Sequence, residues 1–435
     1  MKEFVVRNDA GFAEVCAFVT SHGDSQSLGQ GIQDKLDATK VIVDTVRTQG
    51  DKALVDYTER FDGVRLTAEQ FEVTPKEINA ALSSLEPRMR QILERAHENI
   101  RNFHGKSLRE SWEETQEDGT VLGQRITAIE SAGVYVPGGK AFYPSSVLMN
   151  IVPARVAGVK EIVMVSPPSY NGGIHPVVLA AAKIAGATRV FRVGGAQAIA
   201  ALAYGTETIP AVTKITGPGN TFVTAAKALV RGTVEIDSEA GPSEVVVLAD
   251  DHANPIYVAA ELLAQAEHDE EAMAVLITPS ARLIKDVKAR LIEETAKLPR
   301  KSIIEQSLNN CGVLIQTRTI DEAVELTNLY APEHLSVQVE YPRNFVDRIK
   351  HAGAMMLGPM TPVAVGDYYA GPNHILPTGR KARFSSPLTA EDFRKVTSML
   401  YYSRERLERD AADIREFAEA EELQAHARSI EVRQS

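Results

Sequence analysis

The chain has 435 residues, with 47 Lys and Arg against 58 Asp and Glu, for a formal net charge of −11. Such an acidic balance excludes a general nucleic-acid binder, which needs a basic footprint. Apolar types at 44% and charged types at 24% describe a globular chain able to bury a large core, far from a disordered composition.

The first residues, MKEFVVRNDAGFAEV, carry Glu3, Asp9 and Glu14 where a signal peptide needs an uninterrupted apolar run, so the expected location is cytoplasmic. The longest stretch without a formal charge, 162–182, holds Pro167, Pro168, Gly172, Gly173 and Pro176, a combination that no membrane-spanning helix carries. Cys16 and Cys311 are the only cysteines and form no CxxC motif, which fits a reducing compartment. A metal site would then use mainly nitrogen and oxygen ligands.

Residues 1 to about 105 read as helices, the clearest start being the capping box Thr74-Pro75-Lys76-Glu77 with proline at the first helical position. From Gly133 the pattern changes to short β-branched runs, each followed by a glycine-containing turn and an Ala- or Leu-rich helix: GVYV (133–136), EIVMV (161–165), RVFRV (189–193), VTKI (212–215), EVVVL (244–248), AVLI (274–277) and GVLI (312–315). Strands separated by helices require crossover connections and hence a parallel sheet. Seven are many for one unit, so the fold class is α/β with two doubly wound, Rossmann-like parallel-sheet domains. The expected division is a helical N-terminal segment (1–130), a first Rossmann-like domain (131–240), a second (241–382) and a C-terminal helical segment (383–435). Within the second, helices open at Asn254-Pro255 and at Thr319. Residues 358–383 form a loop punctuated by four glycines and four prolines. A loop of that length inside a compact protein points to function.

No G-x-G-x-x-G motif is present. Three other turns, Pro137-Gly138-Gly139, Gly194-Gly195-Ala196-Gln197 and Gly217-Pro218-Gly219-Asn220, place small residues where strands meet helix N-termini. Exposed backbone N–H groups there could face an anionic, nucleotide-like ligand. Gln265 and His268 lie three residues apart, on one face of the helix that opens at Asn254, with side chains suited to zinc. Asp367 in the glycine-rich loop and His426 in the last helix would complete an N2O2 set. Glu333-His334 follows Pro332, so both are expected on a constrained turn, as a proton-transfer pair or as a surface ion pair.

The strings GVYVPGGKAFYPSSVLMN, GGAQAIAALAYGTETIPAVTKITGPGN, AGPSEVVVLAD, LLAQAEHD, YAPEHL, GDYYAGPNHILPTG and LQAHARSI, in this order and preceded by VRTQGDKALVDYTERFDGV, resemble the histidinol dehydrogenase family along essentially the whole chain. The resemblance implies an NAD-dependent enzyme with one zinc ion per subunit, carrying out the four-electron oxidation of L-histidinol to L-histidine through the aldehyde, the last step of histidine biosynthesis. It puts zinc on Gln265, His268, Asp367 and His426, and the catalytic pair on Glu333 and His334. Substrate contacts fall on Ser243, His374 and Glu421 together with the zinc ligands and His334. NAD contacts fall on Tyr135, Gln197 and Asn220. The family's intertwined homodimer implies that His426 and Glu421 reach the active site of a second subunit. No nucleic-acid or membrane partner is implied.

Three positions depart from the family pattern: Glu422 where a glycine is common, Arg380-Lys381 where small residues are common, and ESAGVYV without an arginine shortly before its glycine. The positive charge of Arg380-Lys381 raises the alternative of a paralogous zinc and NAD dehydrogenase acting on an anionic polar alcohol such as a sulfonated diol. A non-enzymatic alternative is a nucleotide- or metal-binding regulatory protein, which would not need the Glu333-His334 pair.

Overall fold

A computed structural model describes residues 1–22, 30–138, 141–239 and 241–434. Among these the strands are β1 (Lys2–Val5), β2 (Trp112–Thr115), β3 (Val121–Ala128), β4 (Ser131–Tyr135), β5 (Glu161–Ser166), β6 (Arg189–Arg192), β7 (Lys214–Thr216), β8 (Glu235–Ile236), β9 (Glu244–Ala249), β10 (Met273–Thr278), β11 (Val313–Gln316), β12 (His334–Gln338), β13 (Ala354–Leu357) and β14 (Arg394–Tyr401). They form two all-parallel sheets, in the order β6-β5-β4-β7-β8 and β1-β11-β10-β9-β12-β13, and one antiparallel sheet, β14-β3-β2.

Each parallel sheet is covered by helices on both faces, which is why its strands read as continuous apolar runs rather than alternating ones. In the first sheet Ala132, Val134, Ile162 and Met164 pack into one core, with helices Pro144–Ala157 and Pro176–Ala185. Val163, Val165, Phe191 and Ile215 pack into the other, with helices Gln30–Gln49, Gly195–Tyr204 and Thr221–Val230. The second sheet repeats the scheme: Val245, Val247 and Leu276 face helices Pro255–Ala266 and Ala281–Thr295, while Val246, Leu248, Leu335 and Val337 face helices Asp9–His22 and Ile320–Tyr330.

The two terminal segments are not purely helical. β1 pairs with β11 at the edge of the second sheet, so the chain's first residues belong to a sheet whose other strands lie beyond residue 243. Its sequence, KEFV, is short and mostly exposed, as an edge strand can be, and carries no alternation to read. β3 and β14, one from each terminal segment, pair over eight residues from Arg394 with Ala128 to Tyr401 with Val121. Most side chains of β14 are exposed, so its sequence lacks the period-2 pattern of a half-buried strand. After it, helices Arg404–Ala420 and Gln424–Glu431 form a hairpin in which Phe417 is 71% exposed, and Leu400 on β14 is 72% exposed. The capping box at Thr74 forms as expected: Thr74 N–H donates to Glu77 Oε2 at 2.8 Å and Glu77 N–H to Thr74 Oγ1 at 3.3 Å.

The Gly/Pro-rich segment crosses between the parallel sheets. Ile375, followed by Leu388, Ala390 and Phe393, packs into a core of the first sheet, and Asn373 Nδ2 donates to Met149 O at 2.7 Å. His104, on helix Pro87–Gly105, is fully buried with neither ring nitrogen hydrogen-bonded, and burial pushes its pKa down from 6.5 to about 4. A depressed folded-state value means stability that is complete above the unfolded value of 6.5 and is lost as the pH falls toward 4. This residue therefore removes up to about 3 kcal/mol over that interval. Urea unfolding of His104→Leu is expected to show a correspondingly flatter decline in stability below neutral pH than the parent. Equal declines would reject the assignment.

Candidate active site

The candidate active site lies where the C-terminal edge of the first parallel sheet meets the N-terminal edge of the second. β8 ends at Ile236 and β9 begins at Glu244, so the connector, residues 237–243, keeps these two edges within about 25 Å even if fully extended.

Helix Ile320–Tyr330 stops at Ala331, whose φ of 51° is left-handed, and Pro332 prevents its continuation. Glu333 ends the expected turn, but His334 already opens β12, paired with Val245 of β9 and Ala354 of β13. Both side chains are buried, at 6% and 4% exposure. Glu333 Oε2 accepts the Glu244 N–H at 2.7 Å and lies 3.6 Å from His334 Nδ1. His334 Nδ1 is also 3.2 Å from Glu244 O, and its Nε2 is 3.2 Å from Asp367 Oδ1. Burial alone would lower the imidazole pKa, but the carboxylates of Glu333 and Asp367 outweigh it and hold His334 well above its ordinary value. A surface ion pair, the alternative reading of Glu333-His334, is excluded by this burial.

Asp367 belongs to a short helix, Val363–Tyr368, rather than to a loop. Pro362 presets the entry, and the buried Glu261 Oε2 accepts the Val363 N–H at 3.0 Å. That tertiary contact has no local sequence signal. Helix Pro255–Ala266 begins at the expected Asn254 cap but ends before His268, whose N–H bonds to Gln265 O at 3.2 Å. The expected shared helical face is therefore a helix end and the turn that follows it. Gln265 is 3% exposed and its terminal amide nitrogen has no partner, whereas His268 is exposed.

His374 links the two edges, with Nδ1 3.0 Å from Asp367 O and Nε2 3.3 Å from Ser146 Oγ at the start of helix Pro144–Ala157. Ser243 stands immediately before β9, and its carbonyl accepts the Met273 N–H at 2.9 Å. Glu421 and His426 are exposed on the C-terminal hairpin, and among the described residues no hydrogen bond or ion pair joins either side chain to the buried cluster. Glu422 between them has φ 60°, the region that a glycine enters without Cβ strain.

Two buried acids escaped the sequence reading. Glu244 opens an otherwise apolar strand, and Glu261 interrupts the apolar face of its helix one turn before Gln265. Each is an acid within a run of core residues, and that was the available signal. Burial pushes Glu244 up to about 8 and raises Glu261 as well.

Among the described residues no three His, Cys, Asp or Glu side chains converge as a metal site. The fit to zinc rests on Gln265, since a half turn of its amide puts the carbonyl oxygen at the unpartnered position. His268 lies close enough for its charge to act on Asp367, and the two side chains are an oxygen and a nitrogen donor of the kinds zinc accepts.

At the first sheet, Tyr135 Oη accepts the Gly195 N–H at 3.2 Å, and Gln197 folds over Gly195, where a Cβ would lie 2.6 Å from Gln197 Oε1. Two of the expected NAD contacts thus converge on one turn, in a cradle that only glycine leaves open. The expected free helix-terminal amides are largely occupied, however. Gly195 N–H is held by Tyr135, Gly217 N–H donates to Asp237 Oδ2 at 2.7 Å, and Asn220 Oδ1 caps Phe222 and Val223, both at 3.1 Å. Gly139 lies outside the described residues.

The charges of Arg380 and Lys381 are also committed. Arg380, 5% exposed, donates to Leu329 O and Thr20 O, and Lys381 Nζ donates to Glu239 O. The observation that favoured an anionic alcohol as substrate is thereby removed.

A family model described as histidinol dehydrogenase matches residues 27–434. The chain belongs to the histidinol dehydrogenase family. Similar members are the histidinol dehydrogenases of Halalkalibacterium halodurans, 50% identical over 94% of this chain and 96% of that one, and of Bacillus subtilis, 48% identical over 94% and 95%. The solved histidinol dehydrogenase of Elizabethkingia anophelis is 35% identical, covers 100% of this chain and 98% of its own, and superposes with a TM-score of 0.92. Every candidate site residue falls inside the span matched by the histidinol dehydrogenase model.

The Gly217–Asn220 turn depends on Lys227 and Asp237, which pair at 2% and 4% side-chain exposure, with Lys227 Nζ also donating to Gly217 O at 3.1 Å. Lys227→Ala leaves Asp237 buried without its cation and is expected to cost about 3–5 kcal/mol of stability. Thermal and urea unfolding measure it, and a loss below 1 kcal/mol would contradict the role of the pair.

Proposed function

We propose that this protein oxidises L-histidinol to L-histidine with two equivalents of NAD, using one zinc ion per subunit in a cytoplasmic homodimer with shared active sites. The observation that carries this reading is the buried Glu333-His334 pair, with His334 3.2 Å from Asp367, in a chain of this family. In this reading residues 131–240 carry NAD, through Tyr135, Gln197 and Asn220. Residues 241–382 carry the catalytic pair and three zinc ligands, Gln265, His268 and Asp367. The segment 383–435 lends His426 and Glu421 to the partner subunit's site. When bound, zinc anchors and orients the substrate, and NAD accepts a hydride in each oxidation.

The chain's own groups handle protons and water. His334, in the molecules whose ring is unprotonated, takes the hydroxyl proton as the first hydride leaves the carbinol carbon, giving the aldehyde; its raised pKa makes it a stronger base, and this step is expected to quicken as the pH rises. Glu333 takes a proton from the water that adds to the aldehyde. The resulting gem-diol loses its second hydride to a fresh NAD while His334 again accepts the hydroxyl proton, which leaves the carboxylic acid. Each substrate thus gives up four electrons as two hydrides and gains one oxygen atom from water. Burial of the pair keeps the aldehyde within the site and shields it from bulk solvent. Ser243, His374 and Glu421 position the substrate.

Titrating histidinol beside other polar alcohols while following NADH tests the substrate, and absence of NADH with histidinol would end the proposal. Single-turnover experiments on Glu333→Gln are expected to spare the alcohol step and slow aldehyde oxidation about 100-fold or more. Equal losses in both would remove the role assigned to Glu333. Chelation abolishes turnover and added zinc restores it in this reading. Mixing His426→Ala and Glu333→Gln subunits, each deficient in making histidine, in equal amounts restores about a quarter of the parental rate of histidine formation if sites are shared across a twofold dimer, and none if they are not.

A further inference from the structure

Glu244 stands at the centre of the hydrogen bonds that hold the acid/base pair, yet no part of the mechanism above uses it. Its N–H donates to Glu333 Oε2 at 2.7 Å and its carbonyl lies 3.2 Å from His334 Nδ1, so one residue's main chain touches both members. Its carboxyl reaches the other way. Oε1 accepts the Gly379 N–H at 2.5 Å, while Oε2 is buried without a partner, and the residue as a whole is 1% exposed. A second bond reinforces this junction, with Gly241 N–H donating to Thr378 Oγ1 at 2.6 Å.

Glu244 and Glu333 are thus two buried acids close enough for their charges to act on each other, and the groups around them are unequal. Glu333 has a main-chain donor and His334 at 3.6 Å. Glu244 has a single amide donor and an oxygen facing nothing. An ionised carboxylate buried without pairing costs several kcal/mol, and neighbouring carboxyls resolve this by keeping one proton between them. The proton belongs on the group with fewer donors. The other ionisable groups facing Glu244 are His334 on β12 and Tyr330 at the end of helix Ile320–Tyr330, whose hydroxyl points at Met273 Sδ, 3.3 Å away. The neighbouring Arg380 guanidinium donates to Leu329 O and Thr20 O.

We propose that Glu244 is a positioning residue that works as a neutral carboxylic acid, fixing Glu333 and His334 through its main chain and leaving the negative charge on Glu333. The inference rests on the role proposed above for Glu333 as the base that activates water. With its neighbour neutral, the Glu333 carboxyl meets no like charge from Glu244 where it takes that proton. With both ionised, repulsion displaces the pair and the loop held through Gly379. The direction given by burial agrees, since it pushes the Glu244 carboxyl up to about 8.

The test compares Glu244→Gln and Glu244→Ala with the parent, in zinc-loaded enzyme with NAD and histidinol, after circular dichroism has established that each is folded. Glutamine reproduces a neutral acid and can still accept the Gly379 N–H. Glu244→Gln is therefore expected to keep neutral-pH kcat within about threefold of the parent, while the parent's alkaline decline beginning near pH 8 moves up or disappears. Glu244→Ala is expected to lower kcat for aldehyde oxidation at least about tenfold with KM for histidinol little changed. A Glu244→Gln enzyme as impaired as Glu244→Ala, or one with an unshifted alkaline limb, would overturn the proposal. Infrared difference spectra of the resting protein give a reading independent of turnover. The carbonyl band of a protonated carboxylic acid is expected in the parent at pH 7 and missing from Glu244→Gln, and its absence from the parent overturns the inference even if histidinol is oxidised. Because Glu244→Gln is nearly isosteric, it keeps the question answerable if the alanine variant fails to fold.

Discussion

The arrangement of this molecule depends on how it keeps several acids out of water at one sheet edge. Glu244, Glu261 and Glu333 are all less than 9% exposed, and the Asp367 side chain is 14% exposed. Buried carboxyls are tolerated when donors reach them. Here the donors are main-chain amides from remote segments: Glu244 N–H for Glu333, Val363 N–H for Glu261 and Gly379 N–H for Glu244. The same bonds that make burial tolerable thus tie the Gly/Pro-rich segment to β9 and helix Pro255–Ala266. Functional groups and structural fastenings are the same atoms.

Doubly wound sheets usually offer ligands the edge formed by the carboxyl ends of their strands. In the proposed reading the first sheet follows that rule, with Tyr135 at the end of β4 and Gln197 and Asn220 at the helix starts that follow β6 and β7. In the same reading the second does not, because Glu333 and His334 lie at the edge where β9 and β12 begin. The opposed edges face each other across a connector of a few residues, and the hydrogen bonds from Ser146 through His374 and Asp367 to His334 run across the seam. In the proposed reading a cofactor on one sheet and a base on the other then meet over one substrate without either sheet bending from its regular twist.

Much of this was legible in the sequence because the strands of the parallel sheets are buried on both faces and read as unbroken apolar runs. Seven of them stand where those runs predict, and the caps at Thr74, Asn254 and Thr319 form as their side chains dictate. β1, β2, β3, β8, β12, β13 and β14 were missed because they are short or exposed, or because a tertiary partner decides them. β12 begins at the histidine of a Pro-Glu-His string that reads locally as a turn, and its pairing with β9, about ninety residues away, makes it a strand. In the same way Asp367 became helical through Glu261, and the glycine-rich turns lost their free amides to Tyr135, Asp237 and Asn220. The candidate site residues came from family resemblance rather than from spacing. Glu244 and Glu261 required the buried surroundings that only the fold supplies.

The pairing of β1 with β11 carries a consequence for synthesis on the ribosome. Lys2–Val5 is made before its partner Val313–Gln316, which follows about 310 residues later. At about 5–20 residues per second, the N-terminal strand waits roughly 15–60 s before it can be seated. Meanwhile the first sheet, built wholly from 131–236, has all its strands available. The order of emergence therefore gives the nascent chain one completed sheet while the other still lacks an edge, and the last strand to be seated in that other sheet can be the first one made.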